Sequence, residues 1–173
     1  VVHPCDAPSL AGALAAWREG IIVPLLVGPR RRVEAAAEAL GESLDGLTLI
    51  DTPHSHASAE RAVELAAQGE VEALMKGSLH TDELMSAAVD RRTGLRTERL
   101  MSHVYALDVP SYPRPLLISD AALHITPDLA AKRDIIQNAI DLARALGISR
   151  PRVALLSAVE TVRSTLPSTI EAA

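Results

Sequence analysis

The chain has 173 residues and a formal net charge of −5, from 17 Lys plus Arg against 22 Asp plus Glu. An acidic balance argues against broad nucleic-acid binding, which needs a basic face. Hydrophobic residues make up 48% of the chain but aromatics only 2%, with no Phe, so a core must be built from Ala, Leu, Val and Ile, as in helices packed on a sheet.

In chain order, Val1-Val2 reads as a short strand. Ser9 is placed to cap a helix whose Leu10, Ala13, Leu14 and Trp17 recur at helical spacing. Ile21 to Val27 has strand length, with Pro24 indicating an edge or a bulge. Val33, Ala36, Ala37 and Leu40 form the next stripe, closed by Gly41. Leu47 to Ile50 is a predicted strand. Ala59, Ala62, Val63 and Ala66 make a helix closed by Gly69. Val71 to Met75 is a predicted strand, followed by a helix through Leu84, Met85, Ala88 and Val89. This alternation predicts an α/β protein with a doubly wound, mostly parallel sheet.

Past Arg91 the pattern changes. Val104 to Val109 is a strand candidate, and Val109 to Pro115 carries three prolines, the mark of a linker or crossover. Leu116 to Ser119 starts a new strand. Thr126 is a cap candidate for a helix with Pro127 at its first position and Leu129, Ile136, Ala139, Ile140 and Ala143 on its apolar face, ended by Gly147. Val153 to Leu156 is the last predicted strand. Two domains are expected, residues 1–110 and the start of a second α/β domain over 111–173. Ser168 and Glu171 have capping-box spacing. With the strand signal at Val1, both ends look cut, and further chain is expected past Ala173.

One cysteine, Cys5, allows no internal disulfide and points to a reducing compartment. No apolar run reaches bilayer length and no charged-then-apolar leader opens the sequence. A cytoplasmic location without a membrane partner is the expectation.

The candidate chemistry begins at Lys76-Gly77-Ser78-Leu79-His80-Thr81. A strand ends at Lys76, so this turn lies on the ligand-binding edge of the sheet. The helix after it offers backbone N–H groups and a partial positive charge, both suited to an anion. Lys76 adds a full charge, and Ser78 and Thr81 add hydroxyls. The plainer alternative is that Gly77 makes the turn and Thr81 only caps. Arg91, Arg92, Arg96 and Arg99 are either phosphate ligands or a solvated loop. Arg30, Arg31 and Arg32 open a helix and are best read as solvated. His54 and His56 are a weak metal signal with no third ligand in view. Asp120 follows a strand, with His124 four residues on, an arrangement suited to acid–base work or simply to ordering a turn. No dinucleotide or nucleoside-triphosphate glycine motif is present.

The phrases "ALMKGSLHTDELM", "SHVYALDVPSYPRPLLISDAALHITPDL" and "DIIQNAIDLARALGI" with "RVALLSAVETV" resemble the phosphate acetyltransferase / phosphate butyryltransferase family, closest to the branch fused behind an enoyl-CoA hydratase. The resemblance implies a fold like that of isocitrate dehydrogenases and reversible acyl transfer between coenzyme A and phosphate. It implies acyl-CoA, phosphate and acyl phosphate as ligands, coenzyme A as a substrate with no other cofactor and no metal, and a homodimer. It implies substrate-binding roles for Lys76, Gly77, Ser78, Thr81, Arg99, Ser102, His103 and Asp120. His124 stands where the family usually has Asn. The family's proposed catalytic Asp, Ser and Arg fall beyond Ala173, so a polypeptide ending there is expected to turn over little. Two other classes remain as alternatives: a non-catalytic module or assembly subunit binding coenzyme A or acyl phosphate, and a dehydrogenase of the related fold.

Overall fold

The computed structural model describes residues 1–157 and 159–173 and divides the chain into two units, Val1–Arg96 and Thr97–Ala173.

In the first unit, Asp6 caps helix α1 (Ala7–Arg18) by accepting the Ser9 N–H at 3.0 Å. Ser9, the predicted cap, is thus the donor in that bond, because Pro8 already lies in the first turn. Strand β1 (Leu25–Gly28) leads into α2 (Arg30–Leu40), which Gly41 ends with a left-handed φ of 67°. Strand β2 (Thr48–Asp51) precedes α3 (Ser55–Ala67), and α4 spans Thr81–Ala88.

Strands β1 and β2 are parallel, with Leu25 opposite Thr48 and Gly28 opposite Asp51. Val2 bridges in parallel to Val27 on one side and to Lys76 on the other, giving the order β2, β1, Val2, Lys76. Both faces are covered. Leu26 packs with Leu10, Leu14, Val33 and Ala37 on the α1/α2 side. Its neighbour Val27 packs with Val2, Ala59, Val63 and Leu65 on the α3/α4 side. That alternation is the strand period of two, and it makes the sheet doubly wound. Leu10, Leu14 and Leu26 are each no more than 1% exposed, and each such burial is worth about 1.5–3 kcal/mol.

Several predicted strands are shorter than their apolar runs. Ile21 to Pro24 does not pair, and Ile21 and Val23 are 73% and 92% exposed. From Val71 to Met75 only the following residue, Lys76, makes a bridge.

In the second unit, β3 (Val104–Leu107) and β4 (Leu116–Ser119) form an antiparallel pair, with Val104 opposite Ser119 and Leu107 opposite Leu116. The proline stretch therefore turns a hairpin inside this unit, which begins at Thr97. Helix α5 (Leu129–Ala145) packs on β4. Its cap is Asp128, which accepts the Ala131 N–H at 2.8 Å, so Thr126 and Pro127 both lie outside the helix. Residues Val153 to Leu156 form no strand. Helix α6 (Pro167–Ala172) has Leu166 at its cap, and Glu171 pairs with Lys132 of α5 rather than closing a capping box. Among the described residues no helix is long and apolar enough to cross a membrane.

Candidate functional site

The carboxyl ends of the parallel segments in the first unit gather the Lys76-Gly77-Ser78 turn. Its backbone donors are already engaged: Gly77 N–H donates to the Val2 carbonyl at 2.8 Å and Ser78 N–H to the His3 carbonyl at 2.9 Å. Ser78 Oγ also donates to the His3 carbonyl at 2.9 Å and accepts from Cys5 N–H at 3.1 Å. Lys76 Nζ donates to the carbonyls of Leu79 at 2.7 Å and Gly77 at 3.2 Å, which leaves one ammonium proton outward. Thr81 is exposed and is the first helical residue; His80 is the cap. At the start of α4, Glu83 accepts from His80 N–H at 2.8 Å and from Ser55 Oγ at 2.6 Å, and it pairs with His56 at 2.9 Å. The Ser55 hydroxyl first, and then the His80 N–H, hold this carboxyl below its usual range. The helix end expected to draw an anion thus already has a carboxylate.

A group that sequence reasoning missed lies at the same edge. His3 is 2% exposed and has a positive φ of 55°. Its Nε2 faces Arg32 Nη1 at 3.3 Å, and its Nδ1 lies 3.0 Å from Ser58 Oγ. Ser58 Oγ in turn donates to the His54 carbonyl at 2.9 Å and meets Thr52 Oγ1 at 2.8 Å. Arginine only donates, so His3 is neutral with its proton on Nδ1. Burial first and the Arg32 charge second push its pKa down. Arg32, expected to be solvated, therefore has a defined partner. The available signal was His3's position one residue past a strand.

The other predicted groups also have places. His54 caps α3, accepting Ala57 N–H at 3.2 Å, and His56 faces Glu83. Among the described residues no cluster of three His, Cys, Asp or Glu side chains stands ready for a metal. Cys5 is free and half-buried, and burial pushes its thiol pKa up. Arg91, Arg92 and Arg96 are exposed in the first unit, whereas Arg99 belongs to the second.

In the second unit Arg99 Nη1 bonds Asp141 at 2.6 Å and Asn138 Oδ1 at 3.2 Å. Asn138 Nδ2 donates to Ser102 Oγ at 2.9 Å and to the Leu100 carbonyl at 2.8 Å. Helical spacing puts Asn138 and Asp141 on one polar face of α5, and that face straps down the segment carrying Arg99 and Ser102. His103 stacks edge-on against Tyr105 with ring centroids 4.4 Å apart, and its Nδ1 is buried without a hydrogen-bond partner among the described residues. Asp120 lies at the end of β4 with its side chain 2% exposed. Burial pushes its carboxyl up, but the N–H groups of Ala122 and Leu123 and the His124 imidazole outweigh it and bring the group down to about 2. The predicted residues thus fall into two places: Lys76, Gly77, Ser78 and Thr81 in one unit, and Arg99, Ser102, His103 and Asp120 in the other.

Comparison with known proteins follows this architecture. A phosphate acetyltransferase of Rhizobium meliloti is 54% identical over 173 residues, covering 100% of this chain and 55% of that protein. A phosphate butyryltransferase of Clostridium acetobutylicum is 33% identical over 168 residues, covering 97% of this chain and 56% of that protein. The crystal structure of a branched-chain phosphotransacylase from Enterococcus faecalis V583 superposes with a TM-score of 0.66 at 25% identity, covering 85% of this chain and 61% of that one. The chain spans about half the length of the curated relatives it matches. Residues 55–173 match the family described as phosphate acetyl/butaryl transferase, and the chain belongs to that family.

Proposed function

We propose that the full-length protein carrying this chain transfers an acetyl or butyryl group between coenzyme A and inorganic phosphate. The supporting observation is similarity along the chain to relatives named for that activity. In this reading the outward proton of Lys76, the Thr81 hydroxyl and the Gly77-Ser78 turn contact a phosphate-bearing substrate. Within the second unit, Arg99, Ser102, His103 and Asp120 are the substrate-binding residues of this reading. Gly77 acts by bringing strand ends together, since its N–H is already engaged. Arginine suits this work because its planar guanidinium can serve Asp141 on one edge and phosphoryl oxygens on the other. Acyl-CoA, phosphate and acyl phosphate are the ligands. The protein works as a homodimer in the cytoplasm.

The test is a coupled assay of the full-length protein with acetyl-CoA or butyryl-CoA and phosphate, following release of the coenzyme A thiol. Phosphate-dependent release is expected, faster with one of the two acyl donors. Release that does not depend on phosphate would refute the proposal. A single mass in light scattering, at twice that of the monomer, checks the dimer.

A further inference from the structure

Asp134, Asn138 and Asp141 recur at helical spacing and share one face of α5. All three reach the segment that carries Arg99 and Ser102. Asp134 accepts from Leu100 N–H at 3.0 Å, and Asn138 Nδ2 donates to the Leu100 carbonyl at 2.8 Å. Both polar backbone groups of Leu100 are therefore held by the helix.

The partners of the Asn138 amide fix which way it faces. Its Oδ1 meets Arg99 Nη1 at 3.2 Å, and arginine only donates. Its Nδ2 meets the Leu100 carbonyl, which only accepts. The second N–H of Nδ2 then points to Ser102 Oγ at 2.9 Å, so Ser102 is the acceptor in that bond. The Ser102 O–H proton is left over, and none of the described residues accepts it. Arg99 is treated in the same way. Its Nη1 has two protons, one for Asp141 at 2.6 Å and one for Asn138. The Nε and Nη2 protons, a pair able to grip an oxyanion in two parallel bonds, stay unengaged among the described residues, on a side chain 45% exposed.

We propose that Asn138 is a positioning residue for phosphate: its amide keeps the Ser102 hydroxyl as an outward donor beside the open edge of the Arg99 guanidinium. This inference rests on the acyl-transfer reading above. A phosphoryl oxygen accepts hydrogen bonds, so a serine serves it only with the proton facing out. Without the amide, Ser102 is free to turn that proton inward and set its lone pairs against the anion. Asn138 itself touches no substrate; it acts through Ser102 and Arg99.

A double-mutant cycle in the full-length protein tests this. Asn138→Asp keeps the size of the side chain and an oxygen for Arg99, but it puts an acceptor where Ser102 now meets a donor. It is expected to raise KM for phosphate about tenfold, the loss of one hydrogen bond to a charged group, with little change in KM for acetyl-CoA or butyryl-CoA. Ser102→Ala should raise KM for phosphate by a similar factor. In the Ser102→Ala background, Asn138→Asp should add little, because the two residues act as one unit. A new negative charge acting directly on phosphate, or a loosened segment, would raise KM by the same factor in both backgrounds, and that result overturns the proposal. Asn138→Ala, which leaves Arg99 on Asp141, runs through the same cycle with a smaller rise expected, and it carries the test should the Asp variant fail to fold. An unchanged KM for phosphate in Ser102→Ala or in the folded Asn138 variants, beside an active parent, refutes this inference and leaves the proposed function standing. A parent protein without phosphate-dependent turnover refutes both.

Discussion

A methyl group at Gly77 would lie 2.5 Å from the Val2 carbonyl oxygen and 2.6 Å from that of His3. Both are backbone atoms of the adjoining parallel segment, so neither can swing away. Gly77→Ala is expected to lower unfolding free energy by about 2 kcal/mol or more, read as a shift in the urea midpoint. His3 gives a pH dependence whose sign follows from its surroundings. Burial and Arg32 lower its folded-state pKa, against an opposing influence from Glu83, so the unfolded chain binds the proton more readily. Stability is full above about pH 6.5, the unfolded value, and declines as pH falls below it toward the folded value. A denaturant midpoint that falls between about pH 8 and pH 5, with a smaller fall in His3→Gln, is the expected result. Neither residue advertised this in the sequence. A glycine after a strand reads as a turn, and the positive φ of His3 leaves no pattern.

At the scale of elements, the apolar stripes identify the helices and the caps correct their edges. Ser9, Thr81 and Thr126 are good capping residues by type, yet Asp6, His80 and Asp128 occupy those positions. Asp6 and His80 lie three residues and one residue before the expected caps, and Asp128 lies two residues after its own, distances over which composition hardly discriminates. Asp128→Ala should cost about 1 kcal/mol, whereas Thr126→Ala should cost close to none; thermal melts of the two variants decide this. Strands were harder to read. Ile21 to Pro24 and Val153 to Leu156 have strand composition but no ladder. A strand needs a neighbour to bond, and that neighbour is not local information, whereas a helix satisfies its own backbone.

At the scale of the molecule, the two units differ in how much they bury. The first has two clusters, one on each face of a parallel sheet. In the second, the buried residues among those described are Ile135, Ala143 and Thr169, while Leu155 and Leu156 are 45% and 90% exposed. An isolated antiparallel pair such as β3–β4 is marginal unless something packs on it. Local opening should therefore cost less in the second unit. Hydrogen exchange is expected to be faster at the central amides of Leu129–Ala145 than at those of Ser55–Ala67. Equal protection in the two helices would contradict this.

The order of the helices, the left-handed glycine after Leu40 and the siting of Lys76-Gly77-Ser78 at the carboxyl edge were legible in the sequence, because hydrophobic period and turn chemistry act over a few residues. The tertiary structure alone decided which donors stay free. Ser78 bonds a carbonyl 75 positions away, and His3 meets a serine 55 positions away. It also decided that an arginine expected in solvent faces His3, and that Arg99 is held by Asp141 of α5. Hydrogen-bond partners are chosen by how the chain folds back on itself, and short-range spacing carries no record of that choice.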